Sequence, residues 1–390
     1  MNAVLKAYTL SECMETMAEY AHAYEATGGT NLIFCEDRLT LIAERALVRR
    51  TGGTFRSSVS TFSRFLKAEG KALSKQGSVM AVGEVMTRLQ RDGKLQCFTS
   101  SVGVGNNAKS IYETLAQISA SEVTPEILRG SLAVLPEDML KRKVSDLAEI
   151  LEKYTAFLDE NGLLDESRYL SLLPMQMRRD GVLKGKNVFF LCYDGFTAQA
   201  TQIIRVALEE ADNVIGIFCA GDADVYSNTA SEIFAKTCRE YGKVQIQNCG
   251  TTLDGIAEIL RTGLYRPEQA KKKLKTDAIR VFEAQDKTSE AEFVATKIRR
   301  EMAENPNLRY RDFSVLVPSV SGYTLPIKKV FGEYGIPCFI DEKRSLKEHP
   351  LSRFLLDCFR VVREKYSRFP YKRSRKTISL ERVTNTAITY

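Results

Sequence analysis

Apolar and polar positions along the chain switch between two periods, and the switches mark its organisation. Ala3–Ala7 is a short apolar run of strand type, and Thr9-x-x-Glu12 behind it has the form of a capping box ahead of a helix. That helix runs to about Thr27 and stops at Gly28 and Gly29. Asn31–Cys35 predicts a buried strand, Leu39–Arg49 a helix, and Arg56–Val59 a second strand behind Gly52 and Gly53. Strand, helix and strand with short connections predict a parallel α/β sheet.

From about Phe65 to Gly185 the pattern turns helical. Its clearest stripe is Val144, Leu147, Leu151, Tyr154 and Leu158, a spacing of three or four that gathers one apolar face and ends at Gly162. Lys94–Thr99 reads as a marginal strand inside this region. The α/β pattern resumes with a strand over Asn187–Tyr193, a helix over Gln199–Ala211 and a strand over Asn213–Cys219. Weaker segments lead to the lysine-rich stretch Lys271–Lys275, a linker by composition. A second α/β unit then follows, with strands at Ile279–Glu283, Phe313–Val317 and Cys338–Ile340. Its helices cover Ser289–Ala303, a segment ending at Gly335, and Leu351–Arg363. After Tyr366 the periodicity vanishes, and a unit that stops two or three strands in reads as a fragment.

The 390 residues suggest two or three domains, and 44% hydrophobic with 27% charged residues is ordinary for a globular chain. No run of about 18 apolar residues predicts a membrane span, and the N-terminus lacks a secretory pattern. Nine cysteines without a C-x-x-C pair, several in strand-like apolar runs, read as the thiols of a reducing, cytoplasmic protein. The net charge of +7 is a property of one end of the chain. Seven basic residues and one acid, Glu381, fall between Lys365 and Tyr390, leaving 49 basic and 48 acidic residues before them. Charge alone therefore does not establish a nucleic-acid partner.

Candidate chemistry is sparse. Gly103–Ser110 (GVGNNAKS) nearly matches the phosphate loop G-x-x-x-x-G-K-[ST], with Ala108 at the second glycine, and also fits G-x-G-x-x-A. Its helical neighbourhood favours a polar loop between helices, with a phosphate loop as the rival reading. Where a phosphate loop belongs, at the first strand-to-helix turn, Ala7–Ser11 holds neither glycine nor lysine. Val188–Asp194 resembles the apolar strand whose terminal aspartate holds Mg²⁺, but Gly195 stands where a glutamate would position water. Asp194 equally suits a helix cap. The two histidines, His22 and His349, have no nucleophile or ligand set around them. Ser60–Phe65 (STFSRF) joins hydroxyls, an arginine and two aromatics at the end of a parallel strand, which suits phosphate contact and base stacking, or else a packed helix start.

Several strings together resemble the AddB/RexB subunit of the bacterial AddAB-type helicase–nucleases. They are Asn31–Leu41 (NLIFCEDRLTL), Val59–Arg64 (VSTFSR), Tyr193–Gln199 (YDGFTAQ), Tyr310–Val317 (YRDFSVLV), Tyr334–Glu342 (YGIPCFIDE) and His349–Leu351 (HPL), in the family's order. The resemblance implies an α/β, superfamily 1 helicase-like fold of P-loop NTPase type, with parallel sheets, a helical insertion and a degenerate nucleotide site. Residues 1–65 with 185–275 would form the first helicase-like domain, 66–184 its insertion, 277–365 the start of a second domain, and 366–390 a basic tail without regular structure. Arg38, Thr40, Phe62, Arg64 and Phe196 would line a DNA channel. Asp194, Gly195 and Pro318 would mark emptied nucleotide positions, the last where the family usually places an arginine.

The function implied is a non-motor subunit that holds the 3′-ended strand at a double-strand break and scans it for a Chi-type hotspot. DNA ends and an ATP-driven AddA subunit would be its partners, in the bacterial cytoplasm and without a membrane. These residues would carry no cofactor, since the family's iron–sulfur cluster and nuclease Mg²⁺ belong to a later region and ATP-Mg²⁺ to the partner. The competing classes are a nucleotide-binding enzyme using Gly103–Ser110, which requires Lys109 at a sheet edge near Asp194, and a truncated interaction module.

Overall fold

The computed structural model describes residues 1–67, 70–99, 104–220, 229–250, 255–263, 278–342, 346 and 349–363. Gly103, Lys271–Lys275 and the basic segment from Lys365 lie outside these. The chain divides into two compact units, Met1–Leu274 and Lys275–Tyr390.

The first unit opens with strand β1 (Asn2–Ala7), helix α1 (Leu10–Ala26), β2 (Thr30–Cys35), α2 (Thr40–Thr51) and β3 (Ser57–Ser60). A short pair, β4 (Lys71–Ala72) and β5 (Leu163–Leu164), brackets α3 (Lys75–Arg91), α4 (Val104–Ala120), α5 (Pro125–Ser131) and α6 (Met139–Glu160). Then come α7 (Glu166–Asp180), β6 (Lys186–Leu191), α8 (Ala198–Glu210), β7 (Asn213–Cys219), α9 (Thr229–Glu240), β8 (Val244–Asn248) and α10 (Gly255–Gly263).

Six strands form one parallel sheet in the order β3-β2-β6-β7-β1-β8. Helices cover both faces, so the central strands are apolar throughout rather than alternating; Val188–Leu191 are all fully buried. The chain winds from β1 to β2 to β3 with α1 and α2 on one face, packed on Ile33, Phe189 and Ile217. It winds back through β6, β7 and β8 with α8 and α9 on the other, over Phe34, Phe190 and Phe218. That is what right-handed crossovers require when the winding direction reverses. Gly216 in β7 carries no side chain because a Cβ there would meet the Phe218 and Phe234 rings at 2.5 and 2.7 Å.

A row of amides ties the strands at their N-terminal ends. Asn213 donates to Asn187 at 2.7 Å, Asn187 to Asn31 at 3.0 Å, and Asn31 to Ser57 and to the Ala21 carbonyl, each at 2.9 Å. Asn31 and Asn187 are buried and stand opposite each other in register, as do Asn187 and Asn213. The Met1 ammonium reaches Asn213 Oδ1 at 2.8 Å, and Ser57 hands the chain on to Glu25.

The helical insertion has its own core, built on Val82, Met86, Leu115, Ile150, Leu151 and Leu158. The stripe expected on Val144–Leu158 lies on α6. Lys94–Thr99 is not a strand. The buried Asp146 carboxylate on α6 collects the amides of Gln96, Cys97 and Phe98 at 2.7–3.1 Å, so the donors a ladder would use are spent on a side chain.

The second unit contains α11 (Lys287–Glu304), α12 (Val320–Glu333) and α13 (Pro350–Arg363). Ala295, Ile298, Val330, Phe331 and Ile336 make its small core. The strands expected at Ile279–Glu283, Phe313–Val317 and Cys338–Ile340 do not form among the described residues. Their apolar composition is that of strands, but no ladder takes up their amides, and Val281, Leu316 and Phe339 are more than nine-tenths exposed. Composition alone does not make a strand without a neighbour to bond.

Among the described residues no helix is long and apolar enough to cross a membrane, and no group of three or more His, Cys, Asp or Glu could hold a metal ion.

Candidate functional site

In an open parallel sheet, ligands bind outside the carboxyl ends of strands where the winding reverses. This sheet has two such places, between β1 and β7 and between β2 and β6.

At the first, α1 closes its own N-terminus. Glu12 Oε2 accepts from the Tyr8 and Thr9 amides at 3.0 Å each, while Thr9 Oγ1 accepts from the Glu12 amide at 3.2 Å. This is the capping box read from Thr9-x-x-Glu12. Two amides just ahead of the helix are thus taken by a carboxylate, whose negative charge repels an incoming anion. Tyr8 fills the adjoining space: its hydroxyl accepts from Asn248 at 2.8 Å, and its ring lies so close to Gly250 that a Cβ there would sit 2.7 Å away. The Cys13 thiol faces Cys192 and Cys219; the Cys192 contact and then burial push it far above the ordinary thiol range, against a lowering from Cys219.

The second place brings together residues far apart in sequence. Arg38 follows β2 and sends Nε to Glu36 at 2.7 Å and Nη2 to Asp194, behind β6, at 2.9 Å. The Glu36 hydrogen bond is the main reason its guanidinium is held above its usual pKa. Arg64, behind β3, places Nη1 and Nη2 on the two oxygens of Asp37 at 2.9 and 3.0 Å. All four of Arg38, Asp194, Arg64 and Asp37 have side chains more than 60% exposed. Thr40 opens α2 and donates to the Asp37 carbonyl at 3.0 Å, fixing the turn that carries Arg38.

The two aromatic candidates sit lower. Phe62 stacks on Tyr193 with centroids 5.2 Å apart and planes 8° apart, and meets Phe34 at 5.1 Å. Phe196 leans on Tyr193 at 5.0 Å and on Phe190 at 6.3 Å. Both rings are half-buried supports of the rim, and Tyr193, whose phenol burial pushes far up, is a member the sequence reading did not single out. Cys192 makes this possible. Its φ of 52° is left-handed, a conformation that costs a non-glycine residue about 1–2 kcal/mol. The turn brings Tyr193 against Phe62 while Asp194 and Gly195 remain exposed.

The remaining candidates lie on other elements. Pro318 lies in the second unit, ahead of α12. Lys109 is exposed on α4, inside a helical body that packs through Ala108, Ile111 and Leu115 on α3 and α6. Among the described residues no strand precedes α4 where a phosphate loop would need one, and the first glycine of Gly103–Ser110 lies outside them.

Comparison with known proteins gives this geometry a family. The family described as ADDB, N-terminal, matches residues 11–261. The B component of the ATP-dependent helicase/deoxyribonuclease of Clostridium novyi (strain NT) is 24% identical over 371 residues, covering 88% of this chain and 32% of that protein. The protein of the same name from Desulforudis audaxviator (strain MP104C) is 27% identical over 387 residues, 90% of this chain and 33% of its own length. That from Symbiobacterium thermophilum is 24% identical over 400 residues, 94% of this chain and 34% of its own. The chain thus spans about a third of the length of these curated relatives. Because the family match covers well over half of the chain and takes in β2, β3, β6, β7, β8 and the rim, the chain belongs to the AddB N-terminal family.

Proposed function

We propose that this chain is part of the non-motor, DNA-holding subunit of a helicase–nuclease that processes double-strand breaks. Single-stranded DNA passes over the rim at the ends of β2, β3 and β6, where it is scanned for a Chi-type sequence. An AddA-type subunit supplies ATP-driven movement. The observation that carries this reading is a pair of exposed guanidiniums at neighbouring strand ends, Arg38 on Asp194 across the point of reversed winding and Arg64 on Asp37. Planar, permanently charged forks suit phosphate oxygens, and a phosphate-bound strand is positioned without being read.

The occupied start of α1 supports the non-motor half of the reading, since Glu12 and Tyr8 take the ground a triphosphate would need. The parallel sheet, with one strand between β1 and the strand that leads to Asp194, supports the helicase-like, P-loop-type part of this reading. We assign no metal or cofactor to these residues.

The test is a titration of the chain with labelled oligothymidylate and, separately, with labelled ATP. Arg38→Ala and Arg64→Ala are each expected to weaken single-strand binding by about 1 kcal/mol, roughly fivefold, alike for all sequences. Undiminished binding in both variants would remove the rim from the DNA path. ATP binding that disappears in Lys109→Ala would favour the rival at Gly103–Ser110.

A further inference from the structure

Both guanidiniums of the rim are already engaged, and the manner of engagement carries the inference. Arg64 presents two N–H groups to two oxygens of Asp37, the parallel fork that an arginine also offers to a phosphate. The partners come from different strand ends, β3 and β2, and both side chains are about two-thirds exposed. Exchange of one anion for another therefore needs no opening of the core. Arg38 is divided between Glu36 and Asp194 and would keep the first if it lost the second.

We propose that Asp37 is a resident stand-in for a strand phosphate. It holds Arg64 in the orientation a phosphate needs, yields the guanidinium when the strand arrives, and takes it back when the strand leaves. Asp194 plays the same part more weakly for Arg38. This rests on the DNA reading above and deepens it: Asp37 becomes a positioning residue that limits how tightly each nucleotide is held. A strand being scanned has to move on, and a guanidinium that always has a partner waiting is never left bare between one phosphate and the next.

The exchange has a signature in salt. When a phosphate displaces Asp37, the strand sheds a condensed cation, but the freed carboxylate gathers one, and the two largely cancel. With asparagine at that position nothing gathers the cation, so its release shows in full, about 0.7 in the slope of log K against log salt for a single strand.

The full chain is titrated with labelled oligothymidylate by fluorescence anisotropy across a salt series, with dissociation followed by dilution. Asp37→Asn, which preserves shape, is expected to bind 3- to 10-fold tighter through slower dissociation, with a slope steeper by about 0.7. Asp194→Asn shows a smaller gain because Glu36 remains. The gain from Asp37→Asn disappears in an Arg64→Ala background. An Asp37→Asn variant with unchanged or weaker affinity, beside an Arg64→Ala variant that binds poorly, overturns the exchange and leaves the DNA interface standing. So does a gain that persists without Arg64, which is only a change of local charge. Arg64→Ala binding as well as the parent takes Arg64 out of the DNA path and overturns the exchange with it; the interface falls only if Arg38→Ala binds as well too.

Discussion

Replacing Phe190 by alanine is expected to cost the first unit about 3–5 kcal/mol, the range for removing a fully buried aromatic side chain. Phe190 is the penultimate residue of β6 and is shared by four rings: Phe34 at 5.7 Å, Phe62 at 6.2 Å, Phe196 at 6.3 Å and Phe234 at 5.4 Å. The loss combines transfer of the ring to water with a cavity that strands held from both sides cannot close. Because the chain has no tryptophan, the urea transition is followed by far-ultraviolet circular dichroism. The expected result is a markedly lower midpoint, accompanied by weaker single-strand binding, because Phe62 and Phe196 rest on the missing ring. A loss below about 1.5 kcal/mol would mean the cluster is packed loosely enough to collapse, contrary to the density expected of such a core.

The second large effect is expected at the other end of the sheet. Asn187→Leu keeps the approximate size of the side chain but removes both the donor that serves Asn31 and the acceptor that serves Asn213. Asn31 is wholly buried, so its Oδ1 is left without water or partner, and orphaned polar groups of this kind cost about 1–3 kcal/mol each. Asn213 has some access to solvent and suffers less. The sum is about 2–4 kcal/mol, read as a fall in the urea midpoint at unchanged slope. Asn31→Leu with Asn187→Leu together should cost less than the two single losses added, since the second change removes a group already orphaned. Strict additivity would show that the row is not a connected network.

How much of this was legible from sequence depends on how local each cause is. The capping box at Thr9 and Glu12 and the stop at Gly28, whose φ is 86°, involve neighbours in sequence, and both were readable. The strands β2, β6 and β7 announced themselves because burial on two faces writes an unbroken apolar run. β8 did not. At the sheet edge its residues are mostly exposed and polar, so no periodicity identifies it. The second unit failed in the opposite sense, as Val281, Leu316 and Phe339 have strand-like composition without a ladder.

At the rim, Arg38 and Arg64 could be named from their strings, but their carboxylate partners could not. Arg38 and Asp194 are 156 positions apart, and only the sheet order makes them neighbours. Phe62 looked available for stacking on a base. The fold spends one face of it on Tyr193, a pairing set by the left-handed turn at Cys192 that no sequence pattern announces.

The position of β1 has a consequence for how the molecule is made. It lies between β7 and β8, and Met1 bonds to Asn213 across 212 positions of chain. At about 5–20 residues per second, a ribosome leaves this first strand without its neighbours for roughly 10–40 s. During that interval the β2–β3 pair and the helical insertion can assemble, but the sheet cannot close. An apolar strand waiting that long is a natural client for chaperones, and interrupting translation anywhere before β7 should yield an aggregating product rather than a smaller folded one.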